Sequence, residues 1–316
     1  MSARRQTRVR QRGIALLTAL ILVALATIVA VAIGFGAALT ARRTAALFTV
    51  EEGLQLGAGA EAMAAYLLKQ DARNTRQDSL DEDWAQPYGP LEFEAGAVLE
   101  ASMDDQQGRF NINDLIGMNG PDPEARAVFE RLLALLGIDA RYAALLTDWI
   151  DTDGEPTLPD GAEDGLYLGL PTPYRAPNMP ISNITELLAL PGMTRAMFDR
   201  LAPYITALPP GQSVNLCTAP GVVLDALTPG QQQFSLDDKL LAERRQSGCF
   251  PTLSEFQAQM SPAQFASVQK FLGESSQYFR LRSWISIGTT RFTLYSLLYR
   301  DRGGQIRPIL RTFGTD

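Results

Sequence analysis

The sequence predicts an α+β protein with a long N-terminal helix, an antiparallel sheet, and a large all-α domain inserted into the sheet region. Three observations support this prediction. An uncharged apolar stretch opens the chain, and helical spacing of apolar residues continues beyond it. Strand-like alternation occurs at 91–103 and returns only after 276. Helix-start signals fill the long segment 111–275 between them.

The composition excludes several classes of function. The chain contains no histidine, which rules out Ser–His–Asp and Cys–His nucleophiles and imidazole zinc sites. Two cysteines are too few for a thiolate zinc site or an iron–sulfur cluster. The 35 acidic and 28 basic residues give a net charge of −7, which argues against nucleic-acid binding through counterion release.

The N-terminal region predicts a single membrane anchor. Five arginines lie in the first twelve residues, and the 29 residues from Gly13 to Ala41 carry no charge. A helix of this length spans ~43 Å, which exceeds the ~30 Å hydrocarbon core of a membrane. Because positive charges stay on the cytoplasmic side, we expect a cytoplasmic N-terminus and an acidic body on the opposite side.

The junction at Gly13-Ile14 resembles the signal of type IV pilins and pseudopilins. In that family a prepilin peptidase cuts after the glycine and methylates the new N-terminus, which implies cleavage after Gly13 and N-methylation of Ile14. The fifth mature residue is usually glutamate in the family, but it is Thr18 here. In a pilus the buried carboxylate pairs with a neighbour's N-terminal amine, so a subunit without it has no neighbour above to neutralise, which fits a filament tip. The alternative is a plain signal anchor that never assembles.

The segment 42–70 is predicted to continue the helix as a stem, as in the lollipop shape of pilins. Its apolar residues, among them Leu47 and Leu54, keep helical spacing, and proline is absent. We expect this apolar face to pack against other subunits.

The strand-like segments lie far apart in the sequence. Leu91–Phe93 and Ala97–Met103 begin a sheet, and strong strand patterns return near the C-terminus around the turn Asp301–Gly304. The predicted domains are a cleaved cytoplasmic leader (1–13), a transmembrane helix (14–41), a periplasmic stem helix (42–70), a pilin-like head (71–110 and 276–316) and an inserted α-helical domain (111–275).

A helical domain threaded into a pilin sheet resembles the K-type minor pseudopilin of type II secretion systems, general secretion protein K. The stretches that carry the resemblance are GRFNINDL (108–115), DWIDTDGEPTLPDGAEDGLYLGL (148–170), MPISNITELLALPGM (179–193) and VNLCTAPGVVLDAL (214–227).

This resemblance implies a non-enzymatic inner-membrane protein with a periplasmic head at the pseudopilus tip. Such a subunit initiates pseudopilus assembly and helps to export folded proteins across the outer membrane. The implied partners are other minor pseudopilins in a stem-to-stem complex, the major pseudopilin, the prepilin peptidase and the inner membrane, with secreted proteins as further candidates and no nucleic acid.

The alternative function is a membrane-anchored, pilin-like DNA-uptake or adhesion protein. It would bind its ligand through a helix–hairpin–helix at 185–205. Only Arg195 and Arg200 flank that hairpin, and Glu186 and Asp199 offset them. Without the leader arginines the chain keeps 23 basic and 35 acidic residues, a net charge of −12, which disfavours this reading.

The acidic segment 148–164 is the candidate metal site. It holds seven carboxylates in seventeen residues, and its glycines and prolines favour a coil. Repelling carboxylates need a cation, and oxygen ligands suit calcium, which the K-type resemblance also implies. An EF-hand is not supported, because Ala162 stands at the twelfth loop position. The alternatives are a solvated acidic loop and, less favoured, a metal-dependent hydrolase. The predicted ligands are Asp151, Asp153, Asp160, Glu163 and Asp164.

The two cysteines, Cys217 and Cys249, are predicted to form a disulfide. In the cytosol such a pair would usually be buried thiols. The predicted topology puts both in the oxidising periplasm, which favours the bridge.

Overall fold

The computed structural model describes residues 12–93, 96–230 and 232–314. The chain divides into two compact units, residues 1–56 and residues 57–316, and helix α1 (Arg12–Asn74) contributes to both. Residues 1–11, which form most of the predicted leader, lie outside the described part.

In the first unit, the described residues form one continuous stretch of α1. This stretch is long and apolar enough to cross a membrane, as the sequence predicted, and its large apolar side chains are exposed. The hydroxyl of Thr18 donates a 3.0 Å hydrogen bond to the Ala15 carbonyl. This hydroxyl is therefore satisfied within its own helix, as a polar group in hydrocarbon must be.

In the second unit, five strands form one antiparallel sheet in which each strand pairs with the next along the chain. The insertion separates β2 from β3, and Leu99 on β2 pairs with Ile285 on β3. The strands are β1 (Tyr88–Glu92), β2 (Ala97–Asp105), β3 (Tyr278–Ile287), β4 (Thr290–Arg300) and β5 (Ile306–Phe313).

The part of α1 that begins at Gly57 packs against this sheet. A Cβ atom added at Gly57 would lie only 2.6 Å from the Leu294 side chain, so glycine permits the close approach. Ala60, Ala64 and Leu68 follow at helical spacing and are buried. This small-residue stripe lets the helix and the sheet share one apolar layer.

An ion pair between the buried Glu61 and the exposed side chain of Arg311 links the same helix to the sheet. Glu61 accepts two 2.7 Å hydrogen bonds from the Arg311 guanidinium and one 2.6 Å bond from the Ser296 hydroxyl. Paired in this bidentate way, the carboxylate is stable between apolar surfaces and specifies where α1 lies along β4 and β5.

Several element ends differ from the sequence-based expectation: β1 ends at Glu92, β2 continues to Asp105, and the largest differences are at the end of α1 and the start of β1. Helix α1 continues four residues beyond 70, because Asp71 in its last turns lies 3.4 Å from the Arg300 guanidinium on β4. Strand β1 begins at Tyr88 rather than Leu91, because Tyr88 pairs with Ala101 on β2. Both extensions depend on contacts with the sheet that a polar local sequence does not reveal.

The insertion has its own apolar core around Phe110, Phe129, Leu146 and Phe256. Three two-residue ladders supplement its helices, and one of them pairs Phe110–Asn111 in parallel with Ile205–Thr206. The helices are α2 (Pro123–Leu135), α3 (Arg141–Ile150), α4 (Asp164–Tyr167), α5 (Arg195–Leu201), α6 (Gly221–Leu227), α7 (Asp238–Arg244), α8 (Leu253–Gln257) and α9 (Pro262–Val268).

A buried polar network connects the insertion to the sheet. Asp105, at the end of β2, accepts hydrogen bonds from Asn215 (3.0 Å), Thr218 (2.6 Å) and Ser276 (2.7 Å). Burial raises the pKa of Asp105, and hydrogen bonds from Thr218, Ser276 and the Gln107 amide oppose that rise. Since every side-chain donor comes from the insertion or its return to β3, the network sets where the inserted domain begins and ends.

Candidate metal centre

Three carboxylates converge where α3 ends and α4 begins. Asp148 lies in the last turn of α3, Asp151 follows that helix directly, and Glu163 immediately precedes α4. One oxygen from each lies within 4.8 Å of the others, and all three residues are buried. The intervening loop therefore encloses these three carboxylates, and the group of Asp148, Asp151 and Glu163 is called the acidic chamber below.

The loop is folded tightly over Asp148. The Thr157 amide donates to both carboxylate oxygens of Asp148, at 3.1 and 3.0 Å. A Cβ atom added at Gly161 would collide with Asp148 and with the Thr157 backbone. Only glycine fits at position 161, because the backbone there lies directly against Asp148 and Thr157 and leaves no room for a side chain.

The chamber is electrostatically unfavourable without a cation. Asp151 Oδ1 and Glu163 Oε1 are buried, and in the described part of the chain neither atom has a hydrogen-bond partner. Burial, followed by repulsion from neighbouring carboxylates, raises the pKa of Asp151 to about 6 and that of Glu163 to about 7. Burial also raises the pKa of Asp148. Two buried oxygens without hydrogen-bond partners in one acidic group make this group the candidate cation site.

An aromatic wall closes one side of the site. The Trp149 and Tyr167 rings meet edge to face at 5.2 Å, and the Tyr174 ring lies 5.5 Å from that of Tyr167. Burial raises the pKa of the Tyr167 hydroxyl, and the nearby Asp148 and Glu163 charges contribute. Trp149 and Tyr167 are buried, and an apolar wall of this kind strengthens the interaction of carboxylates with a cation.

The donor set fits calcium. Asp148, Asp151 and Glu163 offer hard oxygen ligands, the type that calcium binds with six to eight oxygens in total. The arrangement offers no soft or imidazole ligand, so it does not suit a zinc or copper centre. Bound calcium would neutralise the repelling carboxylates and hold the loop between α3 and α4.

The three-carboxylate group differs from the predicted ligand set. It contains Asp151 and Glu163, adds Asp148, and does not include the other three predicted residues. Asp153 accepts from the Glu155 amide at 2.9 Å, and Asp164 lies 3.6 Å from Arg175. Asp160 is exposed. The spacing of Asp148 and Asp151, three residues apart across a helix end, is the sequence signal that could have selected Asp148.

A second acidic group, formed by Asp71, Asp78 and Glu82, already has its cation. The Arg300 guanidinium donates to Asp78 at 2.6 Å and also reaches Asp71. Burial and the neighbouring acids raise the pKa of Asp71 to about 8. This cluster is therefore an internal ion-pair network rather than a metal site.

The predicted disulfide is present. Cys217 and Cys249 are bonded, with their Cα atoms 4.5 Å apart. Cys217 is buried, and its backbone amide donates a 3.0 Å hydrogen bond to the side-chain oxygen of Asn215. The bridge thus joins the start of α6 to the loop before α8.

The remaining predicted site residues all lie on α1, and none belongs to the acidic chamber. Gly13, Ile14 and Thr18 lie at the N-terminal end of α1, and Leu47 and Leu54 are exposed further along it. In the predicted hairpin, the Arg195 guanidinium pairs with Asp199 at 2.7 Å on the same helix. That arginine is therefore engaged within α5 rather than directed toward a ligand.

Comparison with known proteins identifies the family. The family model described as "Type II secretion system (T2SS), protein K" matches residues 108–210. Type II secretion system protein K of Pseudomonas aeruginosa is 32% identical, and the match covers 96% of this chain and 93% of that protein. The chain belongs to the type II secretion system protein K family. The protein K of Klebsiella pneumoniae is also 32% identical, over 96% of this chain and 95% of its own length.

The protein K fold is also found in a solved complex. The crystal structure of the GspK-GspI-GspJ complex from enterotoxigenic Escherichia coli matches with a TM-score of 0.76 and 26% identity, covering 87% of this chain and all of that chain. Membership in the protein K family confirms the predicted resemblance, the α+β fold, and a role as a minor pseudopilin of type II secretion.

Proposed function

We propose that this protein is a non-enzymatic subunit at the tip of the type II secretion pseudopilus. It is anchored in the bacterial inner membrane with its head in the periplasm. There it initiates pseudopilus assembly and helps to export folded proteins across the outer membrane. The observation that carries the proposal is the size of the insertion between β2 and β3, whose described residues include the eight α-helices α2–α9.

A bulky head favours the end of a filament. Subunits in a helical filament have neighbours above and below, so a domain inserted into one head must share space with the next head. At the end of the filament the upper neighbour is absent, and the added volume meets no clash. Thr18 agrees with this position, because its hydroxyl bonds to its own helix and it carries no charge for another subunit's amine.

Gold labelling of the head on overproduced pseudopili tests the tip position. We expect label at one end of each fibre, because only that end accommodates the insertion. Electron microscopy of fibres whose major subunit carries the same tag provides the control, with label along their whole length. Uniform decoration by this protein would refute the tip assignment.

Processing of the leader is the second part of the proposal. The prepilin peptidase is expected to cut after Gly13 and to methylate Ile14, because a basic leader and a glycine precede the apolar helix. Intact-mass analysis of membrane-extracted protein should show loss of thirteen residues and gain of one methyl group. A cell lacking the peptidase is the control, and full-length mass in both strains would contradict the proposal.

We also propose that the protein assembles stem to stem with other minor pseudopilins and contacts the major pseudopilin. The related GspK chain was solved in a complex with GspI and GspJ. In this chain, Leu47 and Leu54 are 70% and 41% exposed on α1, which leaves apolar surface for such partners.

Charged substitutions on the stem test this assembly. Replacing Leu47 and Leu54 by aspartate is expected to reduce copurification with the other minor pseudopilins at least about tenfold, because charge would enter an apolar interface. Gln55→Asp adds charge at an exposed polar position and should leave copurification intact. Equal recovery of partners with all variants would exclude this face as the interface.

Calcium is the proposed structural cofactor, bound by Asp148, Asp151 and Glu163. The support is the buried acidic chamber with its two oxygens lacking partners. The ion would fix the loop between α3 and α4 rather than take part in a reaction, because no nucleophile or base accompanies the carboxylates.

A further inference from the structure

A basic cavity lies where α1 ends against the turn between β4 and β5. Its volume is about 460 Å³, within the range of sites that hold a drug-sized molecule or a short peptide rather than a single ion. Five cationic and two anionic side chains line it. The cations are Lys69, Arg73, Arg76, Arg300 and Arg302.

The two anionic side chains are already engaged by other groups. Asp78 is buried and accepts a hydrogen bond from the Arg300 guanidinium, which also pairs with Asp71. Asp301 accepts from the Gly303 and Gln305 amides at 2.8 and 2.9 Å and thereby caps the turn. Neither carboxylate is directed toward the remaining cations.

Four cations therefore face the cavity, and Asp301 is the one lining carboxylate that Arg300 does not neutralise. Lys69, Arg73, Arg76 and Arg302 are exposed, and none of them forms an ion pair with any residue in 12–93, 96–230 or 232–314. Arg73 also lies in the last turn of α1, where a cation offsets the helix dipole. Like charges around one cavity repel, and a bound anion would relieve that repulsion.

This charge contrasts with the rest of the protein. Without the leader arginines the chain has a net charge of −12, so a concentrated positive cavity is a local exception. A concave site of one sign focuses the field and attracts ligands of the opposite sign. Apolar ligands are disfavoured, because Ala72 and two glycines are the apolar members of the lining.

We propose that this cavity binds an acidic peptide segment of a partner protein. The cations come from the end of α1, the following loop and the β4–β5 turn. Because they are spread over these three segments, they can contact several carboxylates of one extended peptide. A concave site suits a protruding segment better than a flat membrane surface does. This inference is independent of the tip position and of calcium binding.

Fluorescence anisotropy with labelled hexaglutamate peptide tests the proposal on the full-length protein in detergent. The variant Arg76→Glu/Arg302→Glu reverses two cavity charges that are exposed in the structure. The matched control, Arg200→Glu/Arg291→Glu, makes the same change in net charge at exposed positions outside the cavity lining. We expect the cavity variant to weaken binding at least about tenfold and the control less than about twofold.

Three outcomes would overturn the proposal. One is no binding of hexaglutamate by the wild-type protein at low salt, where screening is weakest. Another is equal weakening by the cavity and control variants, which would show nonspecific attraction. The third is displacement of the peptide by equimolar inorganic phosphate or glycerol phosphate, which would identify an oxyanion or lipid headgroup site. Unchanged melting temperatures of both variants show that each remains folded.

Discussion

Chelation of calcium is expected to lower the melting temperature of the wild-type protein by roughly 5–10 °C. A ligand present at about a hundred times its dissociation constant stabilises the folded state by ~2.7 kcal/mol. In a protein of this size, 1 kcal/mol corresponds to about 2–4 °C. The effect arises because the folded chain brings Asp148, Asp151 and Glu163 together, whereas the unfolded chain separates them.

The variant Asp151→Asn/Glu163→Gln distinguishes a calcium site from a solvated loop. It should lose the response to calcium, because two of the three carboxylates become neutral. In chelator it should melt no lower than the wild-type protein, because it also loses the repulsion that raises the pKa values of Asp151 and Glu163. A structural role without metal predicts instead a lower melting temperature under both conditions.

A matched control uses carboxylates outside the three-residue group. Asp153→Asn/Asp160→Asn removes the same charge from the same loop and should keep most of the calcium response. Thermal unfolding is followed by the fluorescence of the three tryptophans, of which Trp149 lies beside the site. If calcium leaves the melting temperature of the wild-type protein unchanged, the acidic loop is merely solvated.

The elements that local sequence specifies were predictable. The apolar helix depends on the uncharged run from Gly13 to Ala41, and the three C-terminal strands depend on alternating aromatic and β-branched residues. The disulfide followed from two cysteines and an extracytoplasmic topology. Each of these features follows from neighbouring residues or from composition, so no knowledge of packing was needed.

The features that the sequence missed depend on distant contacts. Asp148 belongs to a helix by its local pattern, and although its spacing from Asp151 hints at a shared site, the loop that Gly161 and Thr157 fold over it is what encloses it. The basic cavity joins Lys69 to Arg302, which lie more than 200 residues apart in the chain. Charge counting along the sequence described the protein as acidic and could not locate this concentration of arginines.

Loss of the Cys217–Cys249 bridge is expected to lower the free energy of unfolding by ~3–4 kcal/mol, the chain-entropy estimate for the 32-residue separation. The bridge restricts the unfolded chain between α6 and α8. Its removal should shift the midpoint of urea unfolding to lower concentration without abolishing the folded state.

Arg245 explains why the fold should survive reduction. Its guanidinium donates to the Leu216 and Ala219 carbonyls at 2.8 Å and to the Phe250 carbonyl at 2.7 Å, so it connects the same two segments as the disulfide. Burial lowers the pKa of Arg245 to about 10, which still leaves it charged at neutral pH. The arginine therefore preserves the local geometry after the covalent bond is lost.

Urea unfolding of oxidised and phosphine-reduced wild-type protein measures the effect of the bridge. Cys249→Ala is the preferred variant, because Cys217 is completely buried and its truncation would add the cost of a cavity. Reduced wild type and oxidised Cys249→Ala should unfold at similar midpoints, and reduction should shift only the wild type.

Alkylation before reduction should detect no free thiol in periplasmic protein. Two reactive thiols in that protein would show that the bridge does not form. Equal urea midpoints for oxidised and reduced protein would show that the bridge does not stabilise the fold. A near-native circular dichroism spectrum in the reduced state would support the role of Arg245.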